Sequence, residues 1–265
     1  MTEFTHLHLH TEYSLLDGAN ELNKLMKRVA AMGQKAVAMT DHGNIYGAVH
    51  LFAAAKAAGV KPILGCELYV CKAADHRAEA PGDRYNHLIV LAENEEGYRN
   101  LVRITSEASL HGFYRKPRIS KNFLAQHTKG LICMAACLAG EVAENLMADN
   151  YDAAKATALQ YQDMFGKGNY YLEIQDQGLA PERKINADLF RLEKELGIPM
   201  VAANDAHYLS AEDSRAHDVM LCIQTGAKIH DTNRFRFDSD QFYVKSGDEM
   251  ARLFPDNPSV LSRTM

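Results

Sequence analysis

The chain has 265 residues, of which 47% are hydrophobic and 24% are charged, and its formal net charge is −5 at pH 7. This composition is typical of a soluble globular protein, and the length suits one large α/β domain or two small ones. The mild acidity excludes the strongly basic surface of a protein that binds nucleic acid tightly and unassisted. There is no signal-peptide pattern and no apolar run of ~18 residues, so we expect a cytoplasmic protein that does not enter a membrane.

The opening stretch, Thr5 to Gly18, carries three histidines that alternate with two leucines. On a β-strand, His6, His8 and His10 would share one face and the leucines the other. A buried imidazole needs a hydrogen-bond partner or a metal ion. A half-exposed edge strand is the alternative interpretation, but the alternation at the strand end, followed by Asp17, favours metal ligands.

Strand and helix patterns alternate along the rest of the chain. Apolar strands are predicted at Lys35–Thr40, Pro62–Val70, Asn86–Ala92, Gly130–Cys137, Tyr170–Gln175 and Pro199–Asn204. Helices are predicted at Asn20–Ala31, Tyr46–Ala58, Glu95–Ser109, Gly140–Met147, Tyr151–Phe165, Pro181–Leu196 and Ala211–Gln224, with Asn20 as an N-cap, and a less regular tail containing R-F-R-F-D follows. With the opening strand this makes seven strands alternating with helices, which predicts a parallel sheet closed into an α/β barrel.

One segment, Gly112 to Lys121, breaks the alternation because it is basic, aromatic and contains Pro117. A solvated loop is the favoured interpretation. The alternative is a loop that faces the phosphates of a nucleic-acid backbone, with Arg115, Lys116 and Arg118 as the contacts.

Side chains that can bind metal ions lie at or near the predicted strand exits. They are His8, His10, Asp17, His42, Glu67, His87, Cys137, Asp205 and His207. In an α/β barrel the carboxyl ends of the strands converge on one face, so residues far apart in sequence meet there. One metal site takes about four to six protein ligands, so this set implies a cluster of two or three ions with bridging carboxylates. Mixed imidazole and carboxylate ligands suit Zn²⁺, Mn²⁺ or Fe²⁺ better than Mg²⁺ or Ca²⁺.

Such a cluster lowers the pKa of bound water and clamps phosphoryl oxygens during in-line attack. The residues alone therefore predict phosphoester hydrolysis. Asp41 is expected to hold a neighbouring imidazole by a hydrogen bond instead of binding metal. His6 lies deeper in the strand, so we expect a supporting or core role, and the remaining histidines, His217 among them, are interpreted as non-ligands.

Several stretches match one known family. They are H-L-H-T-E-Y-S-L-L-D-G at 8–18, T-D-H-G-N at 40–44 and G-V-K-P-I-L-G-C-E-L-Y-V at 59–70. They resemble the polymerase and histidinol phosphatase (PHP) domain, in particular the version at the N-terminus of the bacterial replicative DNA polymerase III alpha subunit. N-D-A-H-Y-L-S-A-E-D at 204–213 and F-D-S-D-Q-F-Y-V-K-S-G-D-E-M at 237–250 are also similar to that polymerase branch. The resemblance covers essentially the whole chain.

The resemblance implies a distorted (β/α)7 barrel, similar to a TIM barrel, that holds a trinuclear metal centre. By motif position it assigns His8, His10, Glu67 and Asp205 to one metal, Asp17, His42 and His207 to a second, and Glu67, His87 and Cys137 to a third. Cys137 and Asp17 stand where free-standing members carry histidine. The ligands, chiefly His10, Glu67 and Asp205, would carry the catalysis.

The resemblance also implies that 1–265 is a single domain, with the barrel at about 1–226 and a tail at 227–265 that leads into an absent polymerase core. It implies a 3′→5′ exonuclease acting on the 3′ end of a DNA primer, with the rest of the alpha subunit and other replisome subunits as partners. Alternatives are pyrophosphate hydrolysis, a small phosphomonoester phosphatase acting on histidinol phosphate, and a silent module whose metals only support the polymerase. The domain alone is not expected to polymerise DNA, because the nucleotidyl-transfer carboxylates would lie beyond Met265.

Overall fold

The structure is a computed structural model that describes residues 2–78 and 84–265. Its strands are β1 Ala36–Met39, β2 Lys61–Cys71, β3 Tyr85–Ala92, β4 Phe113–Tyr114, β5 Lys116–Ser120, β6 Leu131–Met134, β7 Tyr170–Ile174 and β8 Met200–Ala202. Its α-helices are α1 Leu22–Ala31, α2 Ala48–Ala58, α3 Glu95–Leu110, α4 Lys121–Leu124, α5 Glu141–Met147, α6 Tyr151–Phe165, α7 Ala180–Leu196, α8 Ser214–Thr225, α9 Gly247–Leu253 and α10 Ser259–Ser262, and a 3₁₀ turn covers Ala211–Asp213.

One curled sheet forms the centre of the molecule, in the order β4-β5-β2-β3-β6-β7-β8, with β1 also paired to β2. The opening segment connects β1 to the exit of β8 through isolated bridges instead of the predicted continuous strand. His6 O accepts a hydrogen bond from Ala38 N of β1 at 2.8 Å, and His10 N donates to Ala206 O, beyond β8, at 2.9 Å. The predicted α/β barrel, distorted as expected, is thereby confirmed.

The direction of β3 departs from the predicted parallel sheet. β2 is parallel to β1 and β5, and β7 is parallel to β6 and β8, but β3 is antiparallel to both β2 and β6. Parallel neighbours need a long crossover connection, usually a helix. Residues 72–78 and 84, the described part of the β2–β3 connection, contain no helix. β3 therefore begins at the face where the other strands end, and His87 near its start lies at that face.

The segment predicted as a solvated loop, Gly112 to Lys121, contains the β4–β5 hairpin, whose turn residue Arg115 has a φ of 63°. β5 extends the sheet because it pairs in parallel with the end of β2. Arg118 is only 1% exposed, and its guanidinium donates to the carbonyl oxygens of Gly112 and His76 at 3.3 and 3.2 Å. The loop prediction is wrong, and so is the expectation that Arg118 contacts a nucleic-acid phosphate, because its side chain is buried among backbone carbonyls.

The helices cover the outside of the sheet with their apolar stripes. In α1 the buried residues recur at helical spacing and are Leu22, Leu25, Met26 and Val29.

Asn20 does not cap α1, contrary to the sequence prediction, because the helix begins only at Leu22. Asn20 is buried, and its Nδ2 donates to His10 O at 2.8 Å and to Ala206 O at 3.1 Å. This amide therefore ties the opening segment to the exit of β8.

The tail after α8 returns to the barrel. Val244, Met250 and Phe254 are buried in the hydrophobic core. His6 Nε2 donates to Lys245 O at 2.8 Å, and burial lowers the pKa of this imidazole to about 4, so the ring is neutral. His6 is thus a buried residue that holds the tail, in line with the core role that was one of the two expected for it. Within the described residues, no helix has the length and apolar character needed to cross a membrane.

Candidate metal centre

Four side chains from distant parts of the chain converge at the carboxyl end of the barrel. His8 and His10 follow the first bridge of the opening segment, Glu67 lies within β2, and Asp205 follows β8. His8 Nε2 is 3.0 Å from Asp205 Oδ1, 3.1 Å from Glu67 Oε2 and 3.3 Å from His10 Nε2. His10 Nε2 is in turn 3.1 Å from Asp205 Oδ1 and 3.8 Å from Glu67 Oε2.

These spacings fit a shared cation. Donor atoms bound about 2.1 Å from one tetrahedral ion would lie roughly 3.4 Å apart. Asp205 Oδ1 is buried and makes no hydrogen bond of normal geometry within the described part of the chain, although imidazole nitrogens surround it. Asp205 also has a φ of 45°, a left-handed conformation that is costly for a residue with a side chain. Strain and an unsatisfied buried carboxylate oxygen are both expected where a side chain is held for a ligand.

Glu173 orients the ring of His8. It lies on β7, and its Oε1 accepts a hydrogen bond from His8 Nδ1 at 2.7 Å. A carboxylate only accepts hydrogen bonds, so neutral His8 carries its proton on Nδ1. The lone pair of its Nε2 then points toward His10, Glu67 and Asp205. A carboxylate–imidazole pair of this kind fixes both the tautomer and the ring angle of a metal-binding histidine.

Ser14 and Asp41 orient the ring of His10. His10 Nδ1 lies 3.0 Å from Ser14 Oγ, which donates to Asp41 Oδ1 at 2.7 Å. His10 therefore donates a hydrogen bond from Nδ1 to Ser14 Oγ, and the lone pair of its Nε2 points toward His8 and Asp205. Asp41 was expected to hold an imidazole directly. It acts instead through Ser14, because both of its oxygens are occupied by the backbone N and Oγ1 of Thr11 and by the Ser14 hydroxyl.

Glu67 joins this group to two others. Its Oε2 faces His8, while its Oε1 lies 2.6 Å from His42 Nδ1 and 3.0 Å from His87 Nδ1. Glu67, His87 and Cys137 form a second set of donor atoms within 4.8 Å of one another, and Cys137 Sγ is 3.8 Å from His87 Nδ1. One carboxylate with an oxygen in each group is the arrangement expected of a bridging ligand.

A third group contains His10, His42 and His207. Asp17 borders it, with Oδ2 at 3.1 Å from His42 Nε2 and Oδ1 at 3.8 Å from His207 Nε2. His207 Nδ1 donates to Asp205 O at 2.7 Å, which leaves its Nε2 for the group. The structure thus brings together all nine residues singled out from the sequence. We refer to His8, His10, Asp17, His42, Glu67, His87, Cys137, Asp205 and His207 as the ligand cluster.

The electrostatics of the ligand cluster favour a cation. Burial would raise the pKa of Glu67 and of Asp205, but neighbouring imidazoles hold both well below their usual range, so both are ionised. Burial, with repulsion from His42 and His207, lowers the pKa of His10 to about 3, so its ring is neutral. Desolvation and nearby carboxylates raise the pKa of the Cys137 thiol, which becomes a thiolate ligand only beside a bound cation.

A cavity of about 320 Å³ opens above the ligand cluster. Its floor includes His42, Glu67 and Asp205, and its walls are largely apolar. The apolar wall residues are Leu138, Ala139, Leu179, Phe235, Phe237 and Phe242. The volume suits one small ligand or one end of a larger one.

The basic hairpin turn lies at one edge of this face. Lys116 Nζ is 5.3 Å from the ring centroid of Tyr69, and that ring packs edge-on against His87 with 5.3 Å between centroids. Arg115 is exposed and lies over the ring of Tyr114 at 5.6 Å. Lys116 is therefore separated from His87 of the ligand cluster by one aromatic ring.

Three supporting residues were not identified from the sequence, namely Ser14, Glu173 and His217. Glu173 sits in the apolar strand Y-Y-L-E-I, the same signal by which Glu67 stands out. His217 was interpreted as a non-ligand, and it belongs to none of the three donor groups, but its Nε2 lies 3.2 Å from Asp17 Oδ1 and so supports that carboxylate. Its position 200 residues from Asp17 in a helical segment leaves no local pattern that could reveal the contact.

Comparisons with known proteins identify a family and several relatives of this chain. A model of the family described as "PHP domain" matches residues 6–177. The DNA polymerase III subunit alpha of Treponema pallidum is 47% identical over 99% of this chain, and that of Borreliella burgdorferi is 41% identical over 100% of it. The chain spans 23% of the length of each of these relatives.

A search of solved structures found, among others, an amidohydrolase from Chromobacterium violaceum with bound sulfate. It is 16% identical, with a TM-score of 0.45 over 77% of this chain and 87% of the other. The family assignment depends on the domain match, which covers well over half of the 265 residues. The chain therefore belongs to the PHP domain family, and the curated relatives that it matches along nearly its whole length are DNA polymerase III alpha subunits.

Proposed function

We propose that this chain is a metal-dependent phosphoesterase that removes nucleotides from the 3′ end of a DNA primer, within a replicative polymerase alpha subunit in the cytoplasm. The observation that carries the proposal is the convergence of His8, His10, Glu67 and Asp205, with the second oxygen of Glu67 facing two further donor groups. Two to three ions of Zn²⁺, Mn²⁺ or Fe²⁺ would occupy these groups. The similarity to polymerase alpha subunits supports the primer end as substrate, since that is the end a polymerase extends.

When bound, divalent ions would supply an activated water and neutralise charge on phosphoryl oxygens. The residues of this chain supply the geometry. Glu67 holds the donor groups at fixed separations, and Glu173 and Ser14 keep the rings of His8 and His10 aimed at them. The apolar wall of the cavity limits bulk water above the site, which strengthens electrostatic interactions there. Arg115 and Lys116 would hold the phosphates of the strand at the edge.

A second candidate function is structural, and one observation favours it. The ligand cluster draws residues from the opening segment, β2, β3 and the exits of β1, β6 and β8. Ions bound there would cross-link almost the whole ring of the barrel, whether or not they catalyse a reaction. A module stabilised in this way would serve as a rigid platform for the rest of the polymerase.

An assay with three substrates separates the candidates. The chain, loaded with Mn²⁺ or Zn²⁺, is incubated with a 5′-labelled primer carrying a 3′ mismatch, with pyrophosphate, and with a small phosphomonoester. We expect stepwise shortening of the primer that is abolished in His10→Ala and Asp205→Asn. His127→Ala is the matched control and should keep full activity, because His127 lies outside the ligand cluster and its Nδ1 donates to Phe123 O at 3.0 Å.

Circular dichroism of each variant shows whether the barrel is still folded. Turnover of only pyrophosphate or only the small phosphomonoester would replace the exonuclease by that alternative. A wild-type chain that binds ions and leaves all three substrates intact would contradict the hydrolase proposal and support the structural role.

A further inference from the structure

The tail segment Arg234–Asp238, with the sequence R-F-R-F-D, forms one wall of the cavity above the ligand cluster. Phe235, Arg236, Phe237 and Asp238 line this cavity together with His42, Glu67 and Asp205. Residues from a segment beyond the barrel helices thus face the donor groups directly. A phosphate ester bound in this cavity would lie beside this segment.

Both ends of the segment are anchored. Arg234 forms a bidentate ion pair with Asp218 of α8, with 2.6 Å between Nη2 and Oδ2. The ring of Phe237 packs edge-on against His207 at 4.9 Å and against His217 at 4.7 Å between centroids. The backbone between these anchors is therefore held at a fixed place over the site.

The two residues between the anchors are exposed. Phe235 is 55% exposed, and the Arg236 side chain is 61% exposed. Arg236 Nε lies 3.7 Å from Asp238 Oδ1, a pair that contributes little because both groups are largely in water. An apolar ring and a guanidinium thus stand side by side at the mouth of a cavity with an ionic floor.

We propose that Phe235 and Arg236 recognise a nucleotide. Phe235 provides the surface on which the base stacks, and Arg236 pairs with a phosphate of the same strand. Stacking on an aromatic ring accepts any base, and a guanidinium pairs with phosphate in a planar, bidentate manner. This inference rests on the proposed phosphoesterase function and adds the residues that distinguish a nucleotide from a phosphate ester without a base.

The absence of tryptophan from the sequence allows a direct optical test. Phe235→Trp creates a single-tryptophan chain with its indole at the proposed stacking position. Phe52→Trp, at a phenylalanine of α2 that is 59% exposed and does not line the cavity, is the matched control. Both chains are loaded with Zn²⁺, which does not quench fluorescence paramagnetically, and are titrated with thymidine 5′-monophosphate and with inorganic phosphate.

We expect the nucleotide to quench the fluorescence of Phe235→Trp and to leave Phe52→Trp unchanged, with no quenching by inorganic phosphate in either. By calorimetry, Phe235→Ala should raise the Kd for the nucleotide about fivefold or more and leave the Kd for phosphate unaltered. Arg236→Gln should weaken binding of both.

Absence of quenching in Phe235→Trp, or wild-type nucleotide affinity in Phe235→Ala, would overturn the inference. These results are independent of turnover. Primer shortening without a stacking signal would remove the recognition role and leave the proposed function intact. A stacking signal in a chain that hydrolyses nothing would keep the recognition role and remove the proposed function.

Discussion

Glu173 is the residue whose removal tests the geometry of the ligand cluster without deleting a ligand. Its Oε1 accepts from His8 Nδ1 at 2.7 Å, so Glu173→Gln keeps the shape of the side chain but weakens the hold on the His8 tautomer. Loss of such a partner lowers metal affinity by about 10- to 100-fold. We expect this decrease for the tightest ion, measured by competition with a chelating dye, with little change in the circular dichroism spectrum.

The control for this change is Glu195→Gln, because Glu195 pairs with Lys155 and Arg191 on the surface of α7. Its metal affinity should equal that of the wild type. Equal affinity in Glu173→Gln would show that the carboxylate does not orient the imidazole.

Among single residues, the sequence predicts the candidate metal ligands better than the residues that orient their side chains. His8, His10 and Glu67 stand out because polar side chains in apolar, strand-like surroundings need a partner. Glu173 carries the same signal, but the sequence pattern does not show that its carboxylate meets the ring of His8. Ser14 lies in a turn, and its contact with Asp41 depends on where β1 ends, which no local pattern reveals.

The side-chain amide of Asn20 adds to the backbone contacts that attach the opening segment to the exit of β8. Asn20 Nδ2 donates to His10 O and Ala206 O, and both contacts are buried. Asn20→Ala removes them, and a lost buried partner costs about 1–3 kcal/mol. We expect the free energy of unfolding in urea to fall by this amount, and metal affinity to fall with it because His8, His10 and Asp205 flank the junction.

Asn122→Ala is the matched control, since Asn122 Nδ2 makes one exposed hydrogen bond to Ala74 O. Its unfolding free energy should change by less than about 0.5 kcal/mol. An Asn20→Ala chain as stable as this control would mean that the bridges of the opening segment suffice to hold it.

Among the secondary-structure elements, apolar runs predict where the strands lie but not whether they are parallel or antiparallel to their neighbours. The predicted strand at Asn86–Ala92 coincides closely with β3, yet its antiparallel direction follows from a connection without a described crossover helix. The β4–β5 hairpin was missed because Pro117 and three cations are unusual in a sheet. Arg118 is accommodated there because backbone carbonyls accept from its guanidinium.

For the whole molecule, we expect the ligand cluster to couple ion binding to the stability of the barrel. An ion at a hundredfold excess over its Kd stabilises the folded state by about 2.7 kcal/mol. For a chain of this length that corresponds to a rise in Tm of roughly 5–10 °C. In a calorimetric scan, we expect this difference in Tm between the chain with Zn²⁺ and the chain with a chelator. Asp205→Asn should show a smaller difference, and an equal Tm with and without ions in the wild type would contradict the coupling.

The tail is also part of the folded unit. Residues after 226 place Val244, Met250 and Phe254 in the core and supply Lys245 O to His6. We expect a chain truncated after Gly226 to lose cooperative thermal unfolding, because the barrel then exposes the apolar surface that the tail covers. A truncated chain with a sharp transition and native near-ultraviolet dichroism would show that the barrel folds without its tail.

We propose that the ligand cluster is a metal centre of more than one ion, bridged by Glu67. Its most direct test is metal analysis of the Zn²⁺-loaded, desalted chain in parallel with Glu67→Gln and Cys137→Ala. We expect two to three equivalents in the wild type, a loss of more than one equivalent in Glu67→Gln, and a loss of one at most in Cys137→Ala. A wild type that retains a single equivalent or none, or a Glu67→Gln chain with wild-type content, would contradict it.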